Sequence, residues 1–370
     1  MRLSAILIAA GLTAFSALPA IGGAKDLALD IKGKRAAIIS YLADLPSQRK
    51  TLSGTQVNEY EVYIDCTSAD RLKEISGRRP AVLGLEMMNA IAYPPYSNYL
   101  IDRALTQTQA GGLVTISWHA RNPVEVCQRG EYFECSQKAM SAETLRAVLT
   151  PGTREYQLWA DDVHAMAKTL HALRDKGVVV LFRPYHEMNG GWFWWGKQDA
   201  MGELWDALYE ELTVKEKLDN LIWVFSIDRE APDAAKYFPK KHKPDIVGTD
   251  MYEPDAASWK FPAAKTNLAK LAPNTPFVIS ETGLAPTQKV LDDLNPSYVL
   301  LWGDMLNIGW SKDGNCQFCN KPEAVAAFMK LPRVLSLGEL PPAFRAAVSA
   351  HVTNPAPLHK PNPICPSKLH

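Results

Sequence analysis

The chain has 370 residues, 47% of them hydrophobic, with Lys+Arg and Asp+Glu balanced at 40 each. That length suits one large domain, and the apolar share is enough for a sizeable core. A formal net charge of zero gives no basic bias toward nucleic acid and no acidic solvating tail. The N-terminus reads as a signal peptide over residues 1–24. Arg2 supplies the positive charge, an apolar stretch runs from Leu3 to about Leu18, and Gly22-Gly23-Ala24 offers small residues before a cut ahead of Lys25. The apolar stretch is slightly short for a spanning helix, with an uncleaved anchor as the competing reading, and no other run of that kind follows. A secreted or periplasmic protein is expected, with no membrane contact after cleavage.

From residue 51 the chain alternates short apolar runs with amphipathic stretches. The runs cover residues 51–56, 81–86, 113–118, 178–183, 221–226, 245–250, 276–281 and 298–302. Several are continuous β-branched or aromatic blocks, such as Val178-Val179-Val180-Leu181-Phe182, as expected of strands buried on both faces of a parallel sheet. Residues 157–176 and 202–217 carry helical periodicity between them. Eight β-α units predict an α/β fold of the (β/α)8 TIM-barrel type, in a single domain over residues 25–353. Residues 121–151 form a long polar connection after strand three, expected to lie over the barrel mouth. Residues 354–370 are Pro-rich without apolar periodicity and read as a tail.

The six cysteines fit export and structural disulfides. Cys127 and Cys135 make a natural local loop, while the spacing leaves the full pairing open. Cys316-Gln317-Phe318-Cys319 is a CxxC, but it sits in an Asp-Gly-Asn loop rather than opening a helix, and two further zinc ligands at similar spacing are missing.

In TIM barrels the reacting residues stand where strands end at the C-terminal face. Polar and aromatic groups follow the apolar runs at those points: Ser117-Trp118-His119, Arg183-Pro184-Tyr185-His186-Glu187, Thr249-Asp250-Met251-Tyr252, Ser280-Glu281-Thr282 and Trp302-Gly303-Asp304. Glu187 after strand four and Glu281 after strand seven would face each other across the mouth. Two carboxyls so placed are what glycosidic hydrolysis needs, one to protonate the leaving oxygen and one to attack; a separation of about 5–5.5 Å implies retention. The His186-Glu187 pair is not a zinc motif, because Gly190 stands where His-Glu-x-x-His needs its second histidine.

The segment from Arg183 to Gly196, RPYHEMNGGWFWWG, resembles the acid/base signature of glycoside hydrolase family 26. Trp118-His119-Ala120-Arg121-Asn122-Pro123, residues 245–252 and Ile279-Ser280-Glu281-Thr282-Gly283 resemble that family's motifs after strands three, six and seven. The resemblance runs from about Ser53 to Leu340. It implies a retaining endo-β-1,4-mannanase acting on mannan, galactomannan or glucomannan, with β-1,3-xylan or mixed-linkage β-glucan as alternative substrates and a silent carbohydrate-binding barrel as a distant one. By position, Glu187 looks like the acid/base and Glu281 like the nucleophile. Tyr252 matches the tyrosine that donates to the nucleophile. His119 and His186 would line the sugar site, Trp192 and Trp302 would be sugar platforms, and Arg183 would steer charge near Glu281. The competing readings are buried, backbone-satisfied histidines and an Arg183 that only braces the barrel; Trp194 and Trp195 read as packing. The resemblance implies no cofactor or metal, a polysaccharide as partner, and a monomer. Glu86 departs from the family pattern, which more often has aspartate there, and the cysteine-bearing connection 121–151 is also distinctive.

Overall fold

The computed structural model describes residues 30–59, 61, 66–253, 262–306 and 319–353. Among these described residues there are nine strands: β1 (Thr51–Gln56), β2 (Val82–Glu86), β3 (Leu113–Trp118), β4 (Val180–Pro184), β5 (Leu221–Asp228), β6 (Ile246–Met251), β7 (Phe277–Thr282), β8 (Tyr298–Leu301) and β9 (Val334–Leu335). The first eight pair in sequence order, all in parallel, and β8 also pairs with β1, which closes the sheet into a barrel. The expected (β/α)8 barrel is therefore the observed fold, and each of the eight expected runs contains a strand to within two residues at either end. β9 was not expected; it is a two-residue addition beside the start of β1.

Why the strands close is visible in their alternation. Leu181, Ile222, Val224, Ile246, Val278 and Leu300 pack in one cluster, while Val180, Phe182, Trp223, Phe225, Val247 and Val299 pack in another. Neighbours along a strand point to opposite faces, so the first set fills the barrel and the second faces the helices. The inner cluster continues into Ile38, Leu42 and Leu45 of the helix Ile31–Asp44 and its following turn, and into Phe344 and Val348 of the helix Pro342–Ser349. These two helices meet through a stacked Tyr41–Phe344 pair with ring centroids 3.9 Å apart. Lys34 donates to the Gly177 carbonyl ahead of β4 at 2.8 Å, and Arg35 pairs with Asp245 ahead of β6. The terminal helices thus plug the N-terminal end of the barrel and leave the opposite end for chemistry.

Helix boundaries follow local capping. The helix expected from residue 157 begins three residues earlier, as Arg154–Asp175, because the Thr153 hydroxyl accepts from the Tyr156 amide. The second expected helix is an α-helix, Met201–Tyr209, continuing into a π-turn, Glu210–Lys215. The connection 121–151 is more ordered than a polar loop: it holds the helices Tyr132–Ser136 and Ala142–Val148. Cys127 and Cys135 are joined there, with their Cα atoms 5.9 Å apart. Cys66 and Cys319 each take part in a disulfide as well, so Cys319 is neither a free thiol nor half of an open metal site. The expected signal peptide, the tail 354–370 and Cys316 lie outside the described residues. Among the described residues no helix is long and apolar enough to cross a membrane.

Candidate active site

The end of β4 is bent in a way that exposes its acid. Tyr185 and Glu187 both have positive φ, 47° and 55°, a region that side chains larger than glycine rarely occupy. Buried contacts hold the bend. Trp159 donates to the Tyr185 hydroxyl at 2.8 Å, Trp195 donates to the His186 carbonyl at 2.8 Å, and the Glu187 amide donates to the Ser226 carbonyl of β5 at 2.9 Å. Glu187 then reaches the cleft with only 8% of its surface exposed.

Glu281 is aimed by a different device. The register between β6 and β7 slips by one residue at this point, so that Thr249 lies opposite Ile279 but Asp250 lies opposite Glu281. The extra residue is Ser280, whose hydroxyl donates to Asp250 at 2.7 Å. A bulge of this kind re-aims a strand's last side chains. Arg183, inside the end of β4 and 1% exposed, donates to Glu281 Oε2 at 2.5 Å and to Asp250 Oδ2 at 2.9 Å. The Tyr252 hydroxyl donates to Glu281 Oε1. Both oxygens of Glu281 therefore carry a donor suited to a carboxylate.

The electrostatics separate the two glutamates by role. Burial pushes the Glu187 carboxyl well above the usual carboxylate range; the charges of Asp250, Glu281 and Asp228 add to that, and the Trp192 N–H donated to Oε2 at 2.7 Å partly opposes it. Tyr252 is also raised well above its ordinary value, first by burial and then by Glu281, which keeps its proton in place to donate. Burial works against the Arg183 charge, but Asp250 and Glu281 outweigh it and hold the guanidinium protonated. Asp250 is pushed up to about 7, chiefly by burial, with Arg183 opposing and Glu281 adding to the rise.

His119, His186, Glu187, Trp192, Tyr252, Glu281 and Trp302 line one cleft at the C-terminal end of the barrel. Arg183 lies beneath it rather than in its wall. The two histidines face each other, Nε2 to Nε2, at 3.1 Å, and His119 Nδ1 lies 2.7 Å from Glu86 Oε2. His119 is thus satisfied by side chains rather than by the backbone. Trp194 and Trp195 are buried packing, as expected; Trp194 donates to the Ala120 carbonyl at 2.8 Å. One nitrogen of His186 and one oxygen each of Asp250 and Glu281 lie within 4.8 Å of one another, a set that could suit a cation. Arg183 already supplies one, bonded to both carboxylates.

Some cleft residues were not singled out from the sequence. Asp228 and Arg229 line it because β5 runs two residues past its expected end. Asn189 fixes that corner by exchanging hydrogen bonds of 2.8 Å with the Asp228 backbone. Phe133 and Gln137 come from the disulfide-closed connection after β3, and Phe193 from within the strand-four motif. Asp250, quoted only as part of a strand end, proves to be the second acid held by Arg183.

A family model for glycosyl hydrolase family 26 matches residues 32–320. The chain belongs to glycoside hydrolase family 26. A Bacillus subtilis mannan endo-1,4-β-mannosidase is 30% identical over 263 residues, 66% of this chain and 70% of that protein. A Caldalkalibacillus mannanilyticus protein named mannan endo-1,4-β-mannosidase A and B is 32% identical over 265 residues, 66% of this chain and 49% of the relative. This chain therefore spans about half the length of that relative. Among solved family 26 structures, GH26A from a Muricauda species superposes with a TM-score of 0.72 at 28% identity, covering 83% of this chain and 97% of its own. A β-mannanase from a symbiotic protist of the termite Reticulitermes speratus, solved with a gluco-manno-oligosaccharide, superposes with a TM-score of 0.69 at 26% identity, covering 82% and 93%.

Proposed function

We propose that this chain is a retaining endo-β-1,4-mannanase that cuts mannan, galactomannan or glucomannan. The observation that carries the chemistry is the pairing in one cleft of Glu187, whose proton affinity is raised, with Glu281, which takes donors from Arg183 and Tyr252. The mannan reading is supported by the names of the relatives, 30% and 32% identical to this chain.

In this reading Glu281 attacks the anomeric carbon while Glu187 protonates the departing glycosidic oxygen. The bond from sugar to leaving oxygen breaks as the bond from sugar to Glu281 forms. Glu187, now a carboxylate, takes a proton from water as that water displaces Glu281 and regenerates both groups. Arg183 and Tyr252 hold Glu281 on line and share its charge as it leaves. Trp192 and Trp302 offer ring faces to the sugars, and His119 and His186 offer polar edges to their hydroxyls. Every proton in the cycle is moved by the two glutamates and water.

Residues 1–24 are proposed as an export signal, residues 25–353 as the catalytic domain and residues 354–370 as a tail. The oxidised cysteines support export, because disulfides persist in oxidising compartments.

The test is release of reducing ends from soluble galactomannan by the mature protein, with Glu187→Ala and Glu281→Ala alongside. The wild type should be active and each variant should lose about 10²-fold or more in kcat. Proton NMR of the first product should show the β-anomer before mutarotation. Cleavage of β-1,3-xylan or β-glucan but not mannan would overturn the substrate and keep the chemistry.

A further inference from the structure

Glu86 sits at the end of β2, fully buried, and it is saturated with donors. Its Oε1 accepts the amides of Met87, Met88 and His119, each at 3.0 Å. Its Oε2 accepts the Ser117 hydroxyl at 2.7 Å and faces His119 Nδ1 at 2.7 Å. Three amides and a hydroxyl already donate to its two oxygens, an environment that favours the carboxylate. Burial alone would raise its pKa, but His119 and the other donors outweigh this and hold it below the usual range.

A carboxylate can only accept. His119 must then carry its proton on Nδ1, and in the neutral ring its Nε2 is bare. That bare nitrogen faces His186 Nε2 at 3.1 Å. Two bare nitrogens cannot bond, so His186 must present an N–H at Nε2, and its Nδ1 is then bare in turn. The structure agrees at that end as well: His186 Nδ1 is buried and has no hydrogen-bond partner among the described residues. Burial, followed by the charge of Arg183, pushes His186 well below its ordinary range, so a second proton on that ring is disfavoured.

We infer that Glu86 is a positioning residue that fixes the tautomers of both cleft histidines through the chain Glu86–His119–His186. Its consequence for catalysis rests on the proposed function. The bare Nδ1 matters because His186 immediately precedes Glu187 and lies close to Asp250 and Glu281. With a proton at Nδ1 the ring must bury an unpaired N–H or turn to donate it to an acidic neighbour, diverting a hydrogen bond onto Glu281 or moving the residue beside the acid/base. A neutral, one-way donor avoids both.

The geometry supplies its own test, Glu86→Gln. The three amides at Oε1 require an oxygen there, so the new NH2 must occupy the Oε2 position and face His119 Nδ1. An NH2 can only donate, so both tautomers reverse with almost no change in shape. Ring-nitrogen 15N–1H correlation spectra of histidine-labelled protein read this directly, with His119→Asn and His186→Asn used to assign the two rings among eight histidines. The wild type should show His119 protonated on Nδ1 and His186 on Nε2. Glu86→Gln should show the opposite pair, with melting temperature nearly unchanged and kcat on galactomannan lowered about 10- to 100-fold, by analogy with the loss of a carboxylate that orients a metal-bound histidine. Glu86→Asp keeps an acceptor and should retain the wild-type tautomers with most of kcat. Wild-type tautomers of the other sense would overturn the inference without any variant. So would reversal with unchanged kcat, or a loss of kcat with unreversed tautomers. The spectra need no substrate, so a wild type inactive on mannan would refute the proposed function and leave the tautomer result standing.

Discussion

Trp192 does two things at once, and they can be separated at the level of one atom. The residue is 39% exposed and lines the cleft, while its N–H is donated to Glu187. A donor to a carboxylate favours the ionised form, so this bond lowers the Glu187 pKa against the burial that raises it. In Trp192→Phe an aromatic face remains and the donor is lost. The Glu187 pKa then rises further, and because the reaction needs Glu187 protonated, the alkaline limb of the kcat/KM profile should move to higher pH. The pH profile of the variant decides it; a limb that stays or moves down would show that Trp192 does not tune the acid. KM should also rise, but the position of the limb is the diagnostic. Gly190 belongs to the same arrangement: a Cβ there would lie 2.3 Å from the Trp192 ring, so only glycine lets the indole fold back this closely. The sequence exposed Glu187 and Glu281 because each follows a buried run. It did not reveal that one arginine would bridge Glu281 to Asp250, since that contact depends on a one-residue bulge in β7 that leaves no mark on the apolar pattern.

The element with most bearing on substrate length is the connection after β3. Its short helix Tyr132–Ser136 carries Phe133, 41% exposed, whose ring centroid stands 5.6 Å from His119 and 6.3 Å from Phe193. Arg121 holds the helix from below, its guanidinium 5.0 Å from the Tyr132 ring and paired with Asp162, and the Cys127–Cys135 bond closes it from the side. Phe133→Ala should raise KM on polymeric mannan about fivefold, the equivalent of roughly 1 kcal/mol for one aromatic contact, with kcat little changed. Cys127→Ser with Cys135→Ser should move KM the same way by loosening Phe133, and should lower the melting temperature by a few degrees at most, because so short a loop returns only about 2–3 kcal/mol of chain entropy and the segment keeps its other anchors. Steady-state kinetics on both variants, with calorimetry on the second, would check this; a fall in kcat without a rise in KM would place the segment outside substrate binding. This element was poorly legible beforehand. Its cysteines announced a closed loop, but helices of five and seven residues are too short to show a convincing period.

At the scale of the molecule, the barrel was legible for a physical reason: parallel strands covered on both faces become continuous apolar runs, and eight of them leave one economical closure. The ends were less legible. β9 is two residues long, and helices such as Ile31–Asp44 plug the barrel through contacts with strands far away in sequence. The barrel also buries acids that the proposed reaction does not use. Glu59, just beyond β1, accepts from the Asn89 amide and side chain and from the Ala90 amide, yet burial and the charge of Glu86 push its carboxyl up to about 8. Glu61 is pushed up to about 7, mainly by burial, against donors from Asn58 and Ser68. A folded-state pKa above the unfolded one means that folding binds protons over the interval between them. The stabilisation from these two carboxyls is therefore fully present below about pH 4.5 and is lost as pH rises through about 7 for Glu61 and about 8 for Glu59. The melting temperature should fall between pH 5 and pH 9, by an amount corresponding to about 6 kcal/mol at most. Glu59→Gln cannot lose a proton in this range, so its melting temperature should change less steeply over the same interval, whatever its value at pH 5. Scanning calorimetry at several pH values on both proteins measures the two slopes. Equal slopes would mean that Glu59 stays ionised throughout, its donors from Asn89 and Ala90 having outweighed its burial.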